Sequence, residues 1–187
     1  MLKKYLSSLA IIIILSQTAS ATILVNSVGD GGDEDPLDGV CEATDSMFDC
    51  TIRAAIEQAN YDSEMVIDFD SLFSTDQTIN LGSTAYDSLE VDNMYINGNS
   101  QAGTITIDGG GIATIAGPLF IINADGVTIE GLDITGVDAD EIIRVNAAGD
   151  NSIIDDIAIH DVEGTGIKIL TDASDVTVKS SYIGMDR

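Results

Sequence analysis

Arg144 and Lys168 fall one repeat apart in the second half of the chain, and Glu130, Asp155 and Lys179 fall one repeat apart on a neighbouring line. A cation held by carboxylates beside an Arg or Lys base suits lyase chemistry on a polysaccharide: the metal acidifies a sugar carbon and the base takes its proton. The single histidine, His160, precedes Asp161, a pairing that could serve glycoside hydrolysis, and Asp155-Asp156 sets two carboxylates side by side. Neighbours in a strand point to opposite faces, so Asp155 and Asp156 act together only if a bend intervenes. The plainer alternative for Arg144, Lys168, Asp155 and His160 is solvated charge with an Asp155/Lys179 contact along the ladder. There is no G-x-S-x-G, no phosphate loop and no histidine cluster, and without tryptophan a sugar-stacking platform is poorly supplied.

A second group of carboxylates lies in Asp30-Gly31-Gly32-Asp33-Glu34-Asp35-Pro36-Leu37-Asp38-Gly39. Its composition could wrap oxygen ligands around calcium through Asp30, Asp33, Asp35 and Asp38, although it does not match the EF-hand spacing. The alternative is a solvated, turn-rich loop, since loops favour these residues for their own reasons. No other cofactor is implied. The two cysteines, Cys41 and Cys50, read as one disulfide of an exported chain, tying the acidic loop to the segment that starts at Thr51; with no histidine nearby, a metal or redox role is the weaker account.

The residues after Cys50 carry a helix signal. Thr51 is placed to cap a helix of about ten residues, with Ile52, Ala55, Ile56 and Ala59 on one apolar stripe and Arg53, Glu57 and Gln58 facing elsewhere. Cys50-Thr51-Ile52-Arg53-Ala54-Ala55-Ile56, with Ala59-Asn60 after it and Gly39-Val40-Cys41 before it, resembles the CSLREAI domain, with Ala54 where the family usually has Glu. That domain is the N-terminal segment of many secreted or surface right-handed parallel β-helix proteins. The resemblance implies a fold and an address outside the cytoplasm, and little about chemistry.

The elements that must position the outward charges come from a repeat. Val127-Thr-Ile129-Glu-Gly-Leu132-Asp-Ile134 aligns with Ser152-Ile-Ile154-Asp-Asp-Ile157-Ala-Ile159 and then with Val176-Thr-Val178-Lys-Ser-Ser181-Tyr-Ile183. A second alternating segment recurs in step: Phe120/Ile122, Ile143/Val145, Ile167/Ile169. Two such segments per period predict a right-handed parallel β-helix, a β-solenoid whose side chains one period apart stack at about 4.8 Å. The expected inward ladders are Ile129–Ile154–Val178, Leu132–Ile157–Ser181 and Ile134–Ile159–Ile183. A leucine-rich-repeat solenoid is the runner-up, but it would place an arc or helix where this chain shows a second strand. Upstream, strands are predicted over 65–69, 78–81, 89–96 and 104–108, with turns at Asn97-Gly98-Asn99 and Gly109-Gly110-Gly111.

Residues 1–21 read as a signal peptide: Lys3 and Lys4, an apolar run from Leu9 to Leu15 too short to span a bilayer, and Ala19-Ser20-Ala21. The expected division is therefore 1–21 leader, 22–60 acidic loop, disulfide and capping helix, and 61–187 coils that stop in the middle of a pattern, as in a fragment of a longer protein. The net charge of −25 becomes −27 once the two leader lysines are removed, which disfavours nucleic acid and anionic membranes as partners. The expected function is a non-enzymatic, adhesin-like or structural module, secreted or on the cell surface, with polysaccharide or a surface protein as partner. The alternative is an extracellular lyase or glycoside hydrolase. A last coil left open would also favour self-association once salt screens the charge.

Overall fold

The structure, a computed structural model, describes residues 22–44, 46, 48–62 and 66–184. The leader 1–21 and Met65, the first residue of one expected strand, lie outside the described residues. The chain runs β1 (Thr22–Val25), α1 (Ile52–Asp62), β2 (Val66–Phe69), β3 (Gln77–Asn80), β4 (Tyr95–Asn97), β5 (Ile105–Ile122), β6 (Thr128–Glu130) and β7 (Leu132–Val145). It continues through β8 (Ile153–Asp155), β9 (Ala158–His160), β10 (Glu163–Ile169), β11 (Thr177–Lys179) and β12 (Tyr182–Ile183).

These strands form a parallel β-solenoid. One six-stranded sheet runs β1-β2-β4-β6-β8-β11, the other runs β12-β9-β7-β5-β3, and β10 pairs with β7. All the strand pairs are parallel and skip one or more elements, which is what coiling requires. Two sheets per coil exclude the leucine-rich-repeat alternative. The expected ladders are present: Ile129 pairs with Ile154 and Ile154 with Val178, Ile134 with Ile159 and Ile159 with Ile183, and Phe120 with Ile143 and Ile143 with Ile167. Alternation sends these residues inward, so Ile129, Ile134, Ile143 and Ile154 are fully buried, while on the last described rung Ile169, Val178 and Ile183 are exposed.

The corners depend on backbone that most L-residues avoid. Asn93, Gly126, Asn151 and Asp175 stand at successive turns with φ of 60°, 68°, 54° and 55°, a column of left-handed residues filled by the types that tolerate that region. Asn93 also explains one departure from expectation. The segment 89–96 is not one strand: Leu89 makes an isolated bridge to Ile122, a turn intervenes, and only Tyr95–Asn97 joins the first sheet. Conversely, the Gly109–Gly111 turn bends β5 without ending it, because left-handed Gly110 and Gly111 let the strand change direction within its ladder.

Helix α1 lies over the first coil. Thr51 caps it as expected, its Oγ1 accepting from the amide of Ala54 at 3.0 Å. Ile52, Ala55, Ile56 and Ala59 are fully buried in the same core as Ile23, Val25, Ile67 and Phe69. The helix therefore covers the end of the apolar column, which an open solenoid would otherwise expose. Cys41 and Cys50 are disulfide-bonded, with Cα atoms 5.2 Å apart. Gln58 and Arg53 lie off the apolar stripe as expected, yet are 2% and 7% exposed, because the acidic loop folds back over that side of the helix.

Candidate functional site

The outward line of Arg144 and Lys168 forms as expected, the two residues pairing across β7 and β10. Neither stands as a free base. Glu141, a residue the repeat pattern did not flag, turns its carboxylate into the line: its Oε2 accepts from Arg144 Nη2 at 2.5 Å and its Oε1 from Lys168 Nζ at 2.6 Å. The Glu141 side chain is only 5% exposed, and the hydrogen bond from Lys168, reinforced by Arg144, holds its carboxyl below the usual range. The signal that could have found it is charge placement, an acid three residues before Arg144 where the strand bulges between Glu163 and Thr165 on the pairing partner.

On the neighbouring sheet Glu130, Asp155 and Lys179 stack in register. Asp155 takes Lys179 at 3.0 Å, and that hydrogen bond lowers its carboxyl pKa. Glu130 instead accepts from the hydroxyl of Tyr95, one coil earlier. A bend does separate Asp155 from Asp156, since Asp156 adopts φ of 51°, but it sends the two carboxylates apart. Asp155 stays on the Lys179 ladder. Asp156 joins a groove at the corner between the sheets, where its Oδ2 accepts from Asn99 Nδ2 at 3.3 Å.

That groove has a volume of about 190 Å³ and is lined by polar side chains from four coils, among them Asn99, Gln101, Asp133, Asp156 and Tyr182. His160 stands beside it. Its Nε2 lies 2.9 Å from Asp133 Oδ1 and its Nδ1 2.9 Å from Asp161 Oδ2, with Thr135 Oγ1 3.4 Å from the same Nδ1. The imidazole thus sits between two carboxylates and 15% exposed, and the bond to Asp161, aided by the charge of Asp133, raises its pKa above the ordinary 6.5.

A histidine whose pKa is raised on folding contributes stability in full below about pH 6.5, and loses it as pH rises through the folded value. The expected result is a denaturation midpoint that is highest below about pH 6.5 and falls as pH rises above it. His160→Gln should flatten that segment of the profile. An unchanged slope in the variant would remove His160 as its source.

The acidic loop is built for holding the cap. Asp30 pairs with Arg53 at 2.9 Å, both side chains being about nine-tenths buried. Asp35 and Asp38 each accept from an amide two residues on, at Leu37 and Val40. Asp33 Oδ1 does the same for the amide of Asp35, and the Asp33 amide donates to Glu57 on α1. Burial pushes the carboxyls of Asp33 and Glu57 up. Among the described residues no three His, Cys, Asp or Glu side chains converge as metal ligands, and no helix is long and apolar enough to cross a membrane.

Comparison of the chain with protein-family models, with curated proteins and with solved structures found no match.

Proposed function

We propose that the chain is a non-catalytic β-helix module, secreted or displayed at a cell surface, with an adhesive or structural role. The observation that carries this reading is Glu141. An elimination base must offer an unengaged nitrogen to a substrate proton, and both candidates, although 27% and 47% exposed, are paired to one buried carboxylate. The disulfide fits an oxidising compartment, and the Cys50–Ile56 run, with its likeness to the CSLREAI domain, fits the same address. Calcium remains a ligand to test, since the Asp30–Asp38 loop is rich in oxygen donors.

The deciding experiment incubates the purified protein with galacturonan, alginate and neutral glucans, with and without calcium, and monitors unsaturated products and new reducing ends. The expected outcome is neither, at any metal concentration. Release of unsaturated sugar that Arg144→Ala or Lys168→Ala abolishes would establish the lyase alternative. Reducing ends lost in His160→Ala or Asp155→Ala would establish the hydrolase.

A further inference from the structure

We infer that the corner groove beside His160 is a binding site for an uncharged, hydroxyl-rich saccharide. Its construction comes from the stacking. Thr106, Asp133, Ala158 and Tyr182 form one outward ladder on four successive strands, β5, β7, β9 and β12. Ala158 carries nothing beyond Cβ, so the ladder is notched between Asp133 and Tyr182, and the notch opens into the groove. At the other wall, Asn99 and Asp156 meet across the turn column. Four rungs at about 4.8 Å give the groove a length near about 14 Å along the solenoid axis.

The chemistry on the walls selects the ligand. Asp133 and Asp156 bring carboxylates to the walls, Asp133 held by His160 and Asp156 by the amide of Asn99, while Gln101 is tied to the carbonyl of Phe69; a carboxylate oxygen accepts more than one hydrogen bond, so a hydroxyl can add to these contacts. A sugar hydroxyl donates to such acceptors, where a purely apolar ligand cannot. Tyr182, 59% exposed at the rim, offers the one aromatic face among the described residues that line the groove, suited to the C–H side of a sugar ring. His160 fixes the orientation of Asp133 through the bond to its Oδ1, so that acceptor is preorganised. Anionic polysaccharides are disfavoured twice, by the two carboxylates and by the net charge of −25. At about 190 Å³ the groove is smaller than the roughly 300 Å³ at which pockets for drug-sized ligands begin, so it takes a single ring while the rest of the glycan lies outside.

The inference names a ligand class for the module proposed above and rests on that reading for its biological sense, but its test is separate. Isotope-labelled full-length protein is titrated with cello-, xylo- and manno-oligosaccharides, and with oligogalacturonate as the anionic comparator. The expected outcome is that at least one neutral series shifts the amides of residues 99–104, 131–133 and 156–158 and of Tyr182, whereas oligogalacturonate shifts none of them. Tyr182→Ala and Asp156→Asn should each weaken that binding by about tenfold or more; Asn tolerates the left-handed backbone at 156, so this second variant keeps the turn. The inference is overturned if no neutral series shifts those amides, if oligogalacturonate binds there more tightly, or if both variants bind as the parent does. Binding accompanied by cleavage would leave the site standing and overturn the non-catalytic reading alone.

Discussion

Arg53→Ala should be the most damaging surface-distant substitution in the cap, lowering stability by about 3–5 kcal/mol. The guanidinium is 7% exposed and every group around it depends on it. It donates to both carboxylate oxygens and the carbonyl of Asp30, at 2.9–3.2 Å, and to the carbonyls of Thr84 and Ala85 at 3.0 and 2.5 Å. Its carbon lies 4.7 Å from the centre of the Tyr86 ring. Alanine would leave the Asp30 carboxylate buried with the amide of Gly82 as its remaining donor, and would take the Arg53 donor from three carbonyls. Asp30→Asn keeps a polar partner for Arg53 and should cost less, about 1–3 kcal/mol. The readout is the denaturant midpoint together with amide exchange in α1, which should open first. An Arg53→Ala midpoint within about 1 kcal/mol of the parent would show that the clamp does not hold the cap.

Phe120→Ala should cost a similar amount, about 3–5 kcal/mol, by a different route. Phe120 is fully buried, pairs with Ile143 on the next strand and packs its ring 4.8 Å from that of Tyr86. Truncation therefore opens a void in the column and loosens the ring on which Arg53 rests. The two substitutions share Tyr86 as a neighbour, so the double variant should depart from additivity by about 0.5–3 kcal/mol. Ile154→Ala, in the other sheet, should instead add to Arg53→Ala within about 0.5 kcal/mol, because coils of a solenoid interact with their neighbours and little beyond. Additivity in the Phe120 pair would mean that the cap and the coils are stabilised independently.

These two sites differ in how far they could be read from the chain. Phe120 was legible as the first member of a ladder whose later members recur in step, and the structure places it there. Arg53 was legible only as a residue off the apolar stripe of its helix. Periodicity describes one face of α1, and nothing local says that the loop from Asp30 will return to bury the other. Glu141 escaped for a related reason: its partners in the ladder are Thr165 one rung on and Pro118 one rung back, so no charge recurs in its column.

What the sequence determined by itself is what depends on neighbours in the chain or on strict repetition. The Thr51 cap is a local hydrogen bond, the Cys41–Cys50 bridge spans a short loop with no other cysteine to choose, and the inward ladders of β6, β8 and β11 come from equal spacing. The tertiary structure decided everything that unequal coils bring together. Ile67 stacks on Ile96 and Ile96 on Ile129 across longer coils than those joining Ile129, Ile154 and Val178, so no single period relates them. The groove takes Asn99 from a long coil and Asp133, Asp156 and Tyr182 from shorter ones. Side chains one rung apart touch because parallel strands pair at a fixed spacing, whatever length of chain the corner between them contains.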